Sequence, residues 1–333
     1  MTITTLKASP HLLKSTIDLI EASFLYEKPN SFTVDFAPLM NADNFENSFI
    51  MIDENENVLA HIGVCIRTIL GVPVAMLGGI AVAEAHRGAG YFKELILDVM
   101  AEKKSDVALI MLWSDQEKLY NKYGFHLCGT QIEIQVQAGA KNFTHYRLKD
   151  LSNEQLEQIQ KIYKESFSSL YTTIERTASD WGELKKIHST DLYIKESNGI
   201  ISEYFFMNKG QDLGGIIFEY GSSIRKIIDL LQEISCYGTI WSGENFLEKG
   251  EAQYQFFVSP GGTKLFGQFI ELYTNKKILI REINFIKQEM YFYFNDELLS
   301  LTIEEFLRGV LGPGPFEELG ELKPIFISGL DSI

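Results

Sequence analysis

The chain runs to 333 residues, 45% of them hydrophobic, which is enough for two domains with cores of their own. No apolar run approaches the ~18 residues of a membrane span, and the opening "MTITTLKASPHLLKS" lacks the basic and apolar regions of a signal peptide. The net charge of −15 argues against a nucleic-acid surface, which needs clustered Lys and Arg, and fits either a solvated acidic surface or a cationic substrate such as an amine. Three scattered cysteines (Cys65, Cys128, Cys236) suit buried thiols, and six histidines form no metal-binding pattern. A cytoplasmic protein without metal, membrane or nucleic acid is the expectation.

In chain order, "ITTLKA" reads as a short strand and "PHLLKSTIDLIEASF" as an amphipathic helix. "SFIMIDENENVLAHIGVCIRTIL" is two strands around a polar turn, Asp53 to Asn57. "VAMLGGIAV" (Val74 to Val82) is a buried strand, and after "HRGAG" the run "YFKELILDVMAEKK" places Phe92, Leu95, Ile96, Val99 and Met100 at helical spacing. "DVALIMLWS" is another buried strand, "DQEKLYNKYGF" a short helix with a glycine stop, and "HLCGTQIEIQVQA" a closing strand. The order is β α β β β α β α β.

Near residue 144 the order begins again. "YRLKDLSNEQLEQIQKIYKESF" repeats the strand and helix, with Ser152 and Gln155 as a capping box. "DLYIKESNGIISEYFFMN" is a polar-turned hairpin, and Leu213-Gly214-Gly215-Ile216 echoes Leu77-Gly78-Gly79-Ile80. The second copy passes from strand to helix through "EYGSS", without the arginine and second glycine of the first. Duplication follows, with domains at 1–140 and 141–333, each a mixed central sheet flanked by helices (α/β, α+β), the second degenerate. The stretch "TNKKILIREINFIKQEMYFYFNDELLSLTIEEFLRGVLG" adds strands and a helix, and a loop-rich tail closes the chain.

Two glycines on a strand-to-helix turn leave backbone N–H groups and the positive end of a helix dipole free for an anion. The stretch is no P-loop, because Gly90 is followed by Tyr91, Phe92 and Lys93, and no dinucleotide loop, because Lys93 stands where a third glycine belongs. Arg87-x-x-Gly90 on this turn resembles the pyrophosphate loop of the GNAT acetyltransferases, and "LYNKYGF" (Leu119 to Phe125) resembles their second signature. Within that superfamily "IAVAEAHRGAGYFKEL" followed by "SDQEKLYNKYGF" is most similar to the Eis-like (enhanced intracellular survival) enzymes, whose tandem GNAT halves match the repeat. Two features depart from the pattern. The loop carries Phe92 where Gly or Ala is usual, and residues 250–333 are short for the sterol-carrier-like domain of that family.

The resemblance implies acetyl-CoA as co-substrate, with loop contacts at Arg87, Gly88, Ala89, Gly90, Tyr91, Phe92 and Lys93. It implies backbone pairing of Ile80, Ala81 and Val82 with the pantetheine amides, and a further contact at Ser114 and Asp115. Tyr120 becomes the acid for the departing thiolate. The strand "MLGGIAV" carries no carboxylate, so the base is sought in the C-terminal carboxylate of Ile333, as in the Eis-like enzymes, with Asp331 as a neighbour that offers the same chemistry. The activity implied is acetyl transfer to a small-molecule or peptide amine by direct attack. The alternatives are a non-catalytic acyl-CoA-binding regulatory module and a Fem-like aminoacyl transferase.

Overall fold

In the computed structural model the residues described are 4–248, 250–313, 319–320 and 322–333; residues 314–318 and 321 of the loop-rich tail lie outside them. The elements read from the sequence appear in their expected order, joined by others it did not name, among them short helices over 32–45 and 178–184 and the strands and helix of 252–273. The first copy is β1 (Thr4–Lys7), α1 (Leu13–Ser23), α2 (Phe32–Asp35), α3 (Ala37–Met40), α4 (Ala42–Phe45), β2 (Phe49–Ile52), β3 (Val58–Ile69), β4 (Val72–Val82), α5 (Tyr91–Lys103), β5 (Leu109–Leu112), α6 (Glu117–Tyr120) and β6 (His126–Cys128). Next come β7 (Gln131–Ile134), β8 (Thr144–Tyr146), α7 (Asn153–Ile162), α8 (Ser168–Leu170), α9 (Ala178–Leu184), β9 (Asp191–Ser197), β10 (Ile200–Met207), β11 (Ile216–Ser222), α10 (Ile227–Ile234) and β12 (Thr239–Ser242). The chain continues through β13 (Ala252–Gln253), β14 (Phe256–Pro260), α11 (Thr263–Tyr273), β15 (Ile278–Asn284), β16 (Glu289–Phe294), β17 (Glu297–Thr302) and α12 (Ile303–Leu311). The Ser152/Gln155 capping box forms at α7 as its spacing predicts.

Two compact units result. The first holds Met1–Cys128, Phe256–Leu322 and Ile333, and the second holds Gly129–Gln255 and Lys323–Ser332. The sequence reading divides the chain at residue 140; these units divide at Cys128 and again at Phe256. The sheet orders give the reason: β1-β2-β3-β4-β5-β14-β6 in the first unit and β13-β7-β12-β11-β10-β9-β8 in the second. Strand β14, from late in the chain, inserts beside β5, while β7 inserts beside β12, so the two copies exchange one strand each. "HLCGTQIEIQVQA" reads as one strand but is two, broken at Gly129, where φ is +72°. Residues 278–302 add a three-stranded antiparallel sheet to the first unit.

The core of the first unit lies between its sheet and α5. Leu95, Ile96 and Val99 are fully buried against Met51, Ile62, Val64, Leu77 and Ile110, with Phe92 and Met100 packed at the margin. The helical spacing of those apolar residues is what turns this face of α5 inward. The tetrapeptide echo fails as a guide: Leu77–Ile80 lies inside β4, whereas Leu213–Gly215 forms the turn before β11. The copies correspond in element order and not at those four residues.

Candidate functional site

Strand β4 parts company with β5 at a defined point. The parallel pairing runs through Ala75↔Ile110 and Met76↔Met111 and ends at Leu77↔Leu112, while β4 continues to Val82 with β3 as its one partner strand among the described residues. The β3 register passes from Gly63↔Gly78 to His61↔Ala81, so Gly79 and Ile80 stand opposite the single residue Ile62. This is a β-bulge, and it bends the strand away from its former neighbour. Gly79 adopts φ +58°, a backbone region that favours glycine. Ala83 N–H bonds back to the Leu59 carbonyl, so by strand alternation Val82 turns its amide to the edge left free, where Arg87 Nε lies 3.4 Å from the Val82 carbonyl. Ile80, Ala81 and Val82 therefore line an open strand edge able to pair with an extended ligand.

That edge leads to the start of α5. Gly88 and Gly90 have φ of +81° and +92°, and a Cβ on either would meet no atom within 4 Å. Gly90 is the N-cap, no side chain caps the helix, and residues 87–90 and 93 are exposed. The first N–H groups of a thirteen-residue helix thus face outward together, an arrangement suited to a phosphate. Phe92, the departure from the usual loop, turns its ring inward: it meets Tyr120 at 5.7 Å and Tyr123 at 5.3 Å, edge to face. Its backbone N–H stays part of the helix start while its side chain joins the core. The His86 ring stacks on Tyr91 at 5.7 Å on the outer side.

Below the opening lies Tyr120, 6% exposed, with its ring against Phe92, Phe125 and Phe257. Burial pushes its hydroxyl up to about 12, opposed by a hydrogen bond with the Ser114 side chain and reinforced by nearby Asp115. The phenol is a proton donor throughout the neutral range. Ser114 and Asp115 follow β5 after Trp113, so the structure gathers Tyr120, Ser114 and Asp115 at one strand end.

The base candidates separate. Asp331 is consumed by structure: Arg176 donates to its Oδ2 at 2.7 Å and also pairs with Glu219, with all three side chains at most 1% exposed. This removes Asp331 as a free carboxylate. Ile333 belongs to the first unit, and a Cβ on Gly78 would lie 2.5 Å from the Ile333 backbone carbonyl carbon, so that residue rests on β4 beside the bulge. His61 went unnoticed in the sequence. It is 0% exposed, its Nδ1 lies 2.7 Å from the Gly79 carbonyl oxygen, and burial lowers its pKa to about 4. The available signal was one histidine in the apolar run "VLAHIGVC". Among the described residues no His, Cys, Asp and Glu cluster is placed to hold a metal.

The second unit has the same strand parting but fills it. The pairing of β11 with β12 ends at Ile217↔Ile240, and beyond it Phe218, Glu219 and Tyr220 are fully buried. The Tyr171 hydroxyl lies 2.6 Å from Tyr220 and 3.1 Å from Ser242, tying the two strands together across the gap. Arg225, at the start of α10, is bound to Glu203 and Glu233 and is not available to an anion.

Residues 7–128 match the family model described as an acetyltransferase (GNAT) domain. No curated protein matches the chain in sequence. Among solved structures, Eis1 from Mycobacterium abscessus shares the fold at TM-score 0.60 and 10% identity over 100% of both chains. A GCN5-related N-acetyltransferase from Kribbella flavida does so at 0.59 and 12%, also over 100% of both. The N-myristoyltransferase of Saccharomyces cerevisiae, solved with bound myristoyl-CoA, covers 78% of this chain and 79% of its own at TM-score 0.53 and 12% identity. No helix among the described residues is long and apolar enough to cross a membrane. The chain has the fold of tandem GNAT-like proteins, and its residues 7–128 match a GNAT acetyltransferase domain, a match that supports an acyltransferase.

Proposed function

We propose that this protein moves an acetyl group from acetyl-CoA to the primary amine of a small molecule or peptide, with catalysis in the half read as 1–140 and a scaffolding role for 141–333. The observation that carries the reading is the free edge of β4 leading straight to the uncapped start of α5. In this reading the pyrophosphate lies along Gly88, Ala89, Gly90, Tyr91, Phe92 and Lys93 and takes the N–H groups that the helix start leaves free, the Ala89 N–H already donating to the His86 carbonyl, with Arg87 adding positive charge. The pantetheine arm pairs with Ile80, Ala81 and Val82 and passes Ser114 and Asp115.

The neutral amine attacks the thioester carbonyl carbon, the C–S bond breaks, and the thiolate takes the Tyr120 proton. A carboxylate carried at Ile333 takes the proton released by the amine nitrogen. Its seat against Gly78, beside the bulge, supports this choice, and Asp331 is already committed to Arg176.

The test is a calorimetric titration with acetyl-CoA, followed by detection of free CoA thiol with a panel of primary amines. Saturable binding and amine-dependent thiol release are expected. Absence of both overturns the reading, and binding without release for any amine leaves only the acyl-CoA-binding module. An extension beyond Ile333 that leaves amine turnover unchanged removes that carboxylate from the mechanism.

A further inference from the structure

A bulge takes a peptide group out of the regular ladder, and a buried carbonyl so displaced must find another donor. At Gly79 the donor is a side chain. His61, one position from the bulge on β3, holds Nδ1 at 2.7 Å from the Gly79 carbonyl oxygen. A carbonyl only accepts, so the Nδ1 carries the proton. Burial keeps the ring neutral, which leaves Nε2 as a bare acceptor, and that atom is buried with no hydrogen-bond partner among the described residues.

This arrangement is poorly explained as packing. A leucine would fill the same space but leave the Gly79 carbonyl without its donor, and an asparagine could donate to that carbonyl while bringing an amide oxygen and a second N–H of its own to satisfy. The surroundings are shaped around the ring as well. A Cβ on Gly63 would lie 3.1 Å from His61 Cε1, and one on Gly79 would lie 3.2 Å from the same atom and 3.1 Å from Phe32. Both positions are glycine.

The consequence falls on the free edge of β4. Strand periodicity is two, so a slip of one residue at Gly79 would exchange the edges to which Ile80, Ala81 and Val82 present their amides. We propose that His61 is a positioning residue for the acyl-CoA site: its Nδ1–H clamps the Gly79 carbonyl, fixes the bulge, and so sets which β4 amides face the ligand. This rests on the acetyl-CoA reading above.

The experiment compares His61→Leu, which keeps apolar volume and removes the donor, with His61→Asn, which restores a donor. Acetyl-CoA affinity by calorimetry, KM, kcat and melting temperature are measured for each. The leucine variant is expected to weaken acetyl-CoA binding about tenfold and raise KM for it, while the asparagine variant stays within about threefold of wild type. Wild-type affinity in both variants, or equal impairment in both, overturns the clamp. Should the leucine variant fail to fold, long-range proton–nitrogen correlation on histidine-labelled wild type decides. One ring must be a fixed Nδ1–H tautomer between pH 5 and 8, and its signals must move when acetyl-CoA is added. No such ring, or one indifferent to bound acetyl-CoA, sinks the proposal. If wild type binds no acetyl-CoA at all, the functional reading fails, and with it the positioning role, while a fixed tautomer would still establish the His61–Gly79 bond.

Discussion

Arg176 Nη2 and Asp331 Oδ2 lie 2.7 Å apart with both side chains removed from solvent. Asp331 sits in the C-terminal segment, and Arg176 also grips Glu219, so one guanidinium serves two buried carboxylates. The ring of Tyr163 lies 4.1 Å from the guanidinium carbon and that of Trp181 4.6 Å. Arg176→Met would strand two buried negative charges and is expected to cost about 3–5 kcal/mol. Asp331→Asn should cost clearly less, because Arg176 and Glu219 remain a balanced pair. Urea denaturation followed by Trp181 and Trp241, both in the second unit, checks the order. Equal losses would mean that the ion pair does not organise the segment.

The loop before α5 gives a prediction about binding. Gly90→Glu has room in the free protein, since nothing lies within 4 Å of its Cβ, although φ of +92° makes any side chain strained there. A carboxylate at the mouth of the helix would also repel a pyrophosphate. The expected result is a modest fall in melting temperature with acetyl-CoA affinity weakened at least ~10-fold, about 1.4 kcal/mol. Normal affinity in the folded variant would remove the loop from the binding site.

Much of this was legible because it is local. The apolar spacing of Leu95, Ile96 and Val99 specifies both the helix and its inward face, and a glycine pair ahead of it specifies an open turn. The capping box at Ser152 needs only four consecutive residues. What escaped depends on partners distant in sequence. The exchange of β7 and β14 is invisible to periodicity, since each strand alternates or runs apolar in the same way whichever sheet receives it. His61 carries no sequence signal beyond one histidine in an apolar strand, and only the fold, with its register near Gly79, shows what it bonds. Phe92 read as a misfit in the loop because backbone and side chain go separate ways: the one opens the helix and the other enters the core.

Tyr120 tests the chemistry. Removing the hydroxyl by Tyr120→Phe alters almost no volume in a site packed by Phe92, Phe125 and Phe257, so fold and acetyl-CoA affinity should survive. Turnover should fall on the order of 10²-fold if the phenol supplies the thiolate proton. With its pKa pushed up to about 12 by burial, Tyr120 stays protonated well into the alkaline range, so the wild-type rate should show no alkaline loss attributable to it below about pH 11. Turnover within twofold of wild type in the variant would give the role to solvent or another group.

His61 also predicts how stability changes with acid. Burial lowers its pKa from 6.5 to about 4, so below pH 6.5 the unfolded chain takes up a proton that the folded ring refuses. Stability from the neutral ring is therefore complete above pH 6.5 and declines as pH falls toward 4, by an amount on the order of 3 kcal/mol at full effect. His126, whose pKa burial also lowers, acts in the same direction, so a wild-type curve alone would not isolate His61. His61→Asn supplies the reference, since it keeps a donor for Gly79 and has nothing to titrate. Hydrogen exchange of β3 amides under urea, at pH 7 and at pH 4.5, follows this unit directly. The advantage of wild type over the variant should shrink or reverse on acidification. A gap that is the same at both pH values would mean that the ring is protonated in the folded protein or reached by solvent, and that it does not hold Gly79 in a dry site.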